Sequence, residues 1–138
     1  MMEKNLILYP AFMMVSLTFF LYLKNYLDNL KATKKREISF SHFKAYSGPV
    51  PEYIDVSRQT LKNQFELPIL FYFLVSIVFA MDNVSWLDVM LSWIFVLSRF
   101  VHCYIRLTTN YVPYRAIAFE VGVFTSAAWM IKILFNIV

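Results

Sequence analysis

Only two glycines and one cysteine occur among the 138 residues. So few glycines leave no glycine-rich loop whose backbone N–H groups could cradle a phosphate. Cys103 is alone, so it forms no intramolecular disulfide, and its apolar neighbours predict a small packed side chain. The two histidines, His42 and His102, share no ligand spacing with each other or with Cys103, and nothing in the pattern supports a metal site. Charge is sparse as well: 16% of residues are charged, against 59% hydrophobic and 19% aromatic. A soluble domain of this length cannot hide that much apolar surface.

What is present is a set of four long apolar runs. Leu6 to Leu23 carries no charge, Phe65 to Met81 only Glu66, Trp86 to Ile105 only Asp88, Arg99 and His102, and Ala116 to Val138 only Glu120 and Lys132. Each approaches the ~20 residues needed to cross a hydrocarbon core about 30 Å thick. The chain reads as an all-α integral membrane protein, an antiparallel four-helix bundle, with helices near 5–33, 56–81, 85–107 and 114–137 and a loop near 34–55. The first run follows Lys4 as a signal peptide would, but Tyr22 to Leu30 offers no small-residue cleavage site, so it is read as an anchor that stays.

The net charge of +4 follows topology rather than a nucleic-acid surface. Lys24, Lys31, Lys34, Lys35, Arg36, Lys44 and Arg58 crowd the long loop and its borders, while the turn from Met81 to Asp88 holds only acids. The positive-inside rule makes the long loop cytoplasmic, with Arg106 and Arg115 on the same side and both termini across the membrane. The first helix is expected to continue past the bilayer toward anionic headgroups. Asp55 or Ser57 is expected to cap the second helix, Pro68 to bend it near Gln64, and Ala118, Gly122 and Ser126 to form a small-residue packing stripe on the fourth.

Polar groups inside apolar helices need a reason, because a central charge costs roughly 2.5–3.5 kcal/mol on insertion scales. Asp88 and Lys132 lie toward the outer ends of their helices, where water or snorkelling explains them. Arg99, His102 and Arg106 share one helical face, and so do Gln59, Asn63 and Glu66; Glu120 enters at a similar depth. Glu66 and Glu120 could neutralise Arg99 and Arg106 as ion pairs that fix helix register. With Arg115 counted, however, arginines outnumber carboxylates, and Asn63, Gln59 and His102 add hydrogen-bonding capacity. That surplus points to an anionic ligand or to a thiol held toward its thiolate.

The run Asn63-Gln64-Phe65-Glu66-Leu67-Pro68, continued to Tyr72, resembles the second-helix pattern of the MAPEG superfamily, the membrane-associated proteins of eicosanoid and glutathione metabolism, and its bacterial members in particular. Arg99-x-x-His102 followed by Arg115 is similar in order and spacing to the prostaglandin synthase branch. The resemblance implies a homotrimer in a bacterial inner membrane, with glutathione as cofactor between neighbouring subunits at the cytoplasmic end. It also implies Asn63, Glu66, Arg99 and His102 as binding residues, joined by Gln59 and Arg106, and Arg115 as the catalytic stabiliser of the thiolate. Its partners would be membrane lipids and a lipophilic small molecule, not nucleic acid. The chain departs from the family pattern at Arg106, where a tyrosine is usual, and at Gln59 and Lys62, where arginine is commoner.

Three functions are therefore set against one another. The first is a glutathione transferase or peroxidase acting on lipophilic electrophiles. The second is a non-catalytic trimer that binds an anionic lipid or another anion at the same site. The third is an ion pathway through Glu66, His102 and Glu120, which lacks an outer counterpart.

Overall fold

The computed structural model describes residues 3–137. A 3-10 turn, Lys4–Ile7, leads into α1 (Leu8–Lys34). The long connection carries a four-residue helix, α2 (His42–Ala45), before α3 (Glu52–Lys62), a 3-10 turn (Asn63–Phe65) and α4 (Leu67–Ala80). Two further helices, α5 (Trp86–Leu107) and α6 (Val112–Ile137), complete the chain. Four stretches are long and apolar enough to cross a membrane: Lys4–Lys34, Glu52–Ala80, Trp86–Leu107 and Val112–Ile137. Large apolar side chains face outward along them, among them Phe12, Phe19, Phe73, Phe124 and Phe135. That surface suits hydrocarbon, not water.

The helices form an antiparallel four-helix bundle. Lys4 Nζ lies 3.0 Å from Asp82 Oδ1, and Lys132 Nζ lies 2.6 Å from Asp88 Oδ2. These pairs tie the start of the chain and the end of α6 to the α4–α5 turn, so both terminal segments lie at one end. The long connection and the α5–α6 turn lie at the other, called here the basic end.

The second span starts earlier than its capping residues suggest. Pro51 sits at the N-cap of α3, and Asp55 falls in the first turn with Glu52 instead of capping, while Ser57 is buried and donates to Asn25 Oδ1 at 3.2 Å. A proline at that boundary sets an extended entry, and two acids in the first turn complement the helix dipole. The bend expected near Gln64 is a full interruption. The helix tightens to 3-10 over Asn63–Phe65, breaks at Glu66 (φ −109°, ψ −100°) and restarts with Pro68 in its first turn. Proline removes a backbone donor, so the chain ends one helix and starts another instead of bending through.

The long connection is also more structured than a plain loop. Ala32, Ile38 and Ile54 form a small buried cluster, with Phe43, Val50 and Tyr53 packed on it. Tyr53 OH donates to Glu37 there.

The main core joins α1, α4, α5 and α6 around Phe71, Phe95 and Trp129, each fully buried; the Phe71 and Phe95 rings stack with centroids 4.5 Å apart. On α6, Ala118, Gly122 and Ser126 are buried, as their spacing predicts. A β-carbon added at Gly122 would lie 2.9 Å from Ser98 Oγ and 3.4 Å from Leu67 Cδ2. A Gly122→Val variant should therefore lose about 1–3 kcal/mol through overpacking, readable as a lower unfolding midpoint in detergent. An unchanged midpoint would mean that α5 and α6 are not held this closely.

Asp88 does not meet water, and Lys132, whose side chain is 20% exposed, turns to Asp88. Asp88 is fully buried: its Oδ2 accepts from Lys132 Nζ, and its Oδ1 accepts from Trp129 Nε1 at 2.8 Å. Asp88 also closes a capping box with Ser85, whose backbone N–H donates to Oδ2 at 2.9 Å. The pairing is favourable because a carboxylate taken out of water must have its lone pairs satisfied, and these three donors with the Ser85 hydroxyl, 2.6 Å from Oδ2, do this here.

Candidate functional site

The polar residues singled out in the sequence gather at the basic end, carried by three elements. The helix ending at Lys62 brings Gln59 and Asn63 to the level reached by Arg106 near the end of α5, and α6 starts beside them with Arg115. Arg106 Nη2 donates to Gln59 Oε1 at 2.7 Å. With its amide oriented to satisfy both neighbours, Asn63 accepts from Arg106 Nη1 at 3.3 Å and donates to the Gln59 carbonyl and to Glu66 Oε2 at 3.2 and 3.3 Å. Gln59, Asn63, Glu66 and Arg106 thus form one network across two helices.

His102 joins α5 to α6. Its Nδ1 lies 2.8 Å from the Arg115 carbonyl oxygen, which can only accept, so Nδ1 carries the proton and donates. The Nε2 of His102 is buried without a hydrogen-bond partner among the described residues. Arg115 Nη1 donates to Asn110 Oδ1, which holds the guanidinium at the α5–α6 turn. Asn110 adopts a left-handed conformation (φ 49°), which asparagine tolerates better than most residues.

Arg99 is the exceptional member. It is 0% exposed, and its Nε, Nη1 and Nη2 all lack a hydrogen-bond partner among the described residues. Its guanidinium carbon lies 5.3 Å from the centre of the Phe119 ring, a cation–π contact that recovers only part of the lost hydration. Arg106 Nε is likewise buried and unpartnered.

The expected neutralising ion pairs do not form. Among the described residues, neither Glu66 nor Glu120 makes an ion pair with Arg99 or Arg106. Glu66 is exposed and meets Asn63 instead. Glu120 is exposed on α6 and stands apart from the cluster, because it lies two residues, about 200°, from both Ala118 and Gly122 on the packed face. The site therefore carries a surplus of positive charge, with Glu66 reaching it only through Asn63 and Glu120 turned away.

Several contributors were not singled out from the sequence. Phe119 supplies an aromatic face to Arg99, Asn110 anchors Arg115, and Gln64 Nε2 donates to Cys103 Sγ at 3.4 Å. Asn110, five residues before Arg115 in a short turn, was the one with a readable signal. Lys24, the basic residue of the first helix nearest its apolar run, is engaged by Asp28 at 2.5 Å.

An outer polar counterpart to the cluster does exist in Asp88 and Lys132. On α5, however, the fully buried Phe95 separates Asp88 from Arg99, stacked on Phe71. The buried hydroxyls of Ser92 and Ser98 each donate to a carbonyl of their own helix, at 2.7 Å. Nothing here favours an ion pathway.

A family model described as the MAPEG family matches residues 7–135. No curated protein and no solved structure matches the chain.

Proposed function

The chain belongs to the MAPEG family, and from that premise and the unpartnered guanidinium of Arg99 we propose a glutathione-binding membrane enzyme of the transferase or peroxidase type. The observation that carries the reading is the buried set of unmet polar atoms, three Arg99 nitrogens and Arg106 Nε as charged donors and His102 Nε2 as an acceptor, with no partner among the described residues. Buried polar groups are nearly always paired, so such a cluster is built for something it does not itself contain. Glutathione fits the donor set, since its two carboxylates and amide groups can meet arginine, Asn63 and the acceptor nitrogen of His102.

When bound, glutathione supplies a thiol that acts on lipophilic electrophiles or peroxides from the bilayer. The chain's residues do the rest. Arg106, held by Gln59 and Asn63, presents a fixed positive charge, and Arg115, braced on Asn110, stabilises negative charge at the thiol sulfur. Arg99 acts through its charge, which the low-dielectric interior screens poorly. Glu66 and Asn63 orient the ligand's donor groups.

The reading extends to assembly and placement. An exposed Glu120 among the apolar residues of α6 is costly against hydrocarbon and is relieved by a neighbouring copy, in keeping with a homotrimer whose ligand lies between subunits. The surplus of lysine and arginine at the basic end supports a cytoplasmic side for that end, and the likeness of residues 63–72 to bacterial members supports a bacterial inner membrane.

The test is ultraviolet difference absorbance of the thiolate on adding glutathione to the solubilised protein. The wild type should show a thiolate band at neutral pH and Arg115→Ala should lose it while remaining folded. Equal bands in both proteins would remove Arg115 from the role.

A second reading is favoured by one observation. Arg106 stands where the family usually has tyrosine and is already held by Gln59 and Asn63. This suits a non-catalytic trimer that holds an anion, and it predicts anion binding with no thiolate band.

A further inference from the structure

Away from the polar cluster, a groove of about 580 Å³ runs between α1 and α5, walled chiefly by Met13, Leu17 and Phe20 on one side and Phe100, Tyr104 and Leu107 on the other. Of its three hydroxyls, those of Ser16 and Thr108 are already satisfied, and Tyr104 is an exposed residue. Ser16 donates to the Phe12 carbonyl at 2.9 Å and Thr108 to the Tyr104 carbonyl at 2.7 Å. Apart from the Tyr104 hydroxyl, the walls therefore offer an alkyl chain no unmet uncharged polar group.

One charged residue lines it, Lys24, at the basic end. Lys24 Nζ donates to Asp28 Oδ2 at 2.5 Å, but the two side chains are unequally accessible, 37% exposed for Lys24 and 12% for Asp28. A group at the mouth thus meets the ammonium more than the carboxylate. Two of its three donors remain for another acceptor. From Met13 to Lys24 the groove extends eleven residues, about 16 Å at 1.5 Å per residue. That is close to half of a hydrocarbon core about 30 Å thick, the depth of one leaflet. Lys31, Lys34, Lys35 and Arg36 follow on the same chain segment and raise the local concentration of anions.

We infer that this groove is a binding site for an anionic glycerophospholipid, with one acyl chain along α1 and α5 and the phosphate on Lys24. A second apolar groove serves as an internal control. It lies between α5 and α6, has a volume of about 490 Å³, is lined by Leu97, Val101, Ile117 and Val121 among others, and has no charged residue. If lipids merely coat the helices, both grooves fill alike. If Lys24 selects the lipid, only the first responds to headgroup charge.

The experiment uses full-length protein in nanodiscs containing a trace of phosphatidylglycerol or phosphatidylcholine with a photoactivatable diazirine in the acyl chain, and maps insertion sites by mass spectrometry. Phosphatidylglycerol should label Phe20, Phe100 and Tyr104 preferentially over Ile117 and Val121, and phosphatidylcholine should not. Lys24→Gln should reduce that preference about fivefold, the equivalent of one lysine–lipid attraction, and Lys24→Arg should keep it. The arginine variant separates loss of charge from loss of fold. Even labelling of both grooves, labelling indifferent to headgroup or to Lys24, or no labelling because a second copy covers the groove would each overturn the assignment.

Discussion

An Asp88→Ala variant is expected to unfold with a stability loss of about 3–5 kcal/mol, among the largest effects of any single substitution in this chain. Removing the carboxylate leaves the part-buried Lys132 with no counter-ion and the fully buried Trp129 Nε1 with no acceptor. It also deletes the capping box that starts α5. The effect is thus less the value of the pair than the cost of stranding its partner. The double variant Asp88→Ala, Lys132→Met removes both charges and should recover most of the loss. Chemical unfolding in mixed micelles, with all three proteins compared, measures this directly. If Asp88→Ala alone unfolds like the wild type, the pair is not buried in the membrane-embedded protein.

The second large effect has opposite signs for fold and function. Arg99→Met replaces a buried, unpartnered guanidinium with a flexible apolar side chain of comparable reach. The ligand-free subunit should gain about 1–4 kcal/mol, because no desolvated cation remains to be held without a partner. Anion binding at the basic end should weaken by about tenfold or more, the loss of one charge-assisted interaction. A variant that is both less stable and unchanged in binding would mean that Arg99 is a structural cation with a partner inside the fold. Thermal unfolding and ligand titration on the same preparation separate the two outcomes.

How far the sequence carried each of these points follows from the range of the interactions. The four spans were legible because each is written locally in a continuous apolar run. Arg99, His102 and Arg106 were legible as one face because helical periodicity is local too, and the meeting of Arg106 with Gln59 and Asn63 followed from matched depth. The break at Glu66 was only half legible: Pro68 announces a disturbance, but whether a helix bends or restarts depends on what the freed backbone groups meet.

Asp88 shows what depth alone leaves out. Its partners come from α6, more than forty positions away, and nothing near Asp88 in the chain says which face of α6 it will meet. Glu120 is a different case, since the contrary signal was present. The stripe of Ala118, Gly122 and Ser126 defines the packed face of α6, and a residue two positions off it must point the other way. Depth placed Glu120 at the right level, and azimuth sent it outward. For Glu66 no such signal existed, because its direction is set by the irregular backbone at the break.

The central claim is that the cationic cluster at the basic end serves glutathione, and calorimetric titration of glutathione into the detergent-solubilised protein tests it most directly. The account predicts saturable binding in the micromolar to millimolar range, weakened in a folded Arg99→Met protein. Absence of binding up to about 10 mM, a free energy of less than roughly 3 kcal/mol, would contradict it.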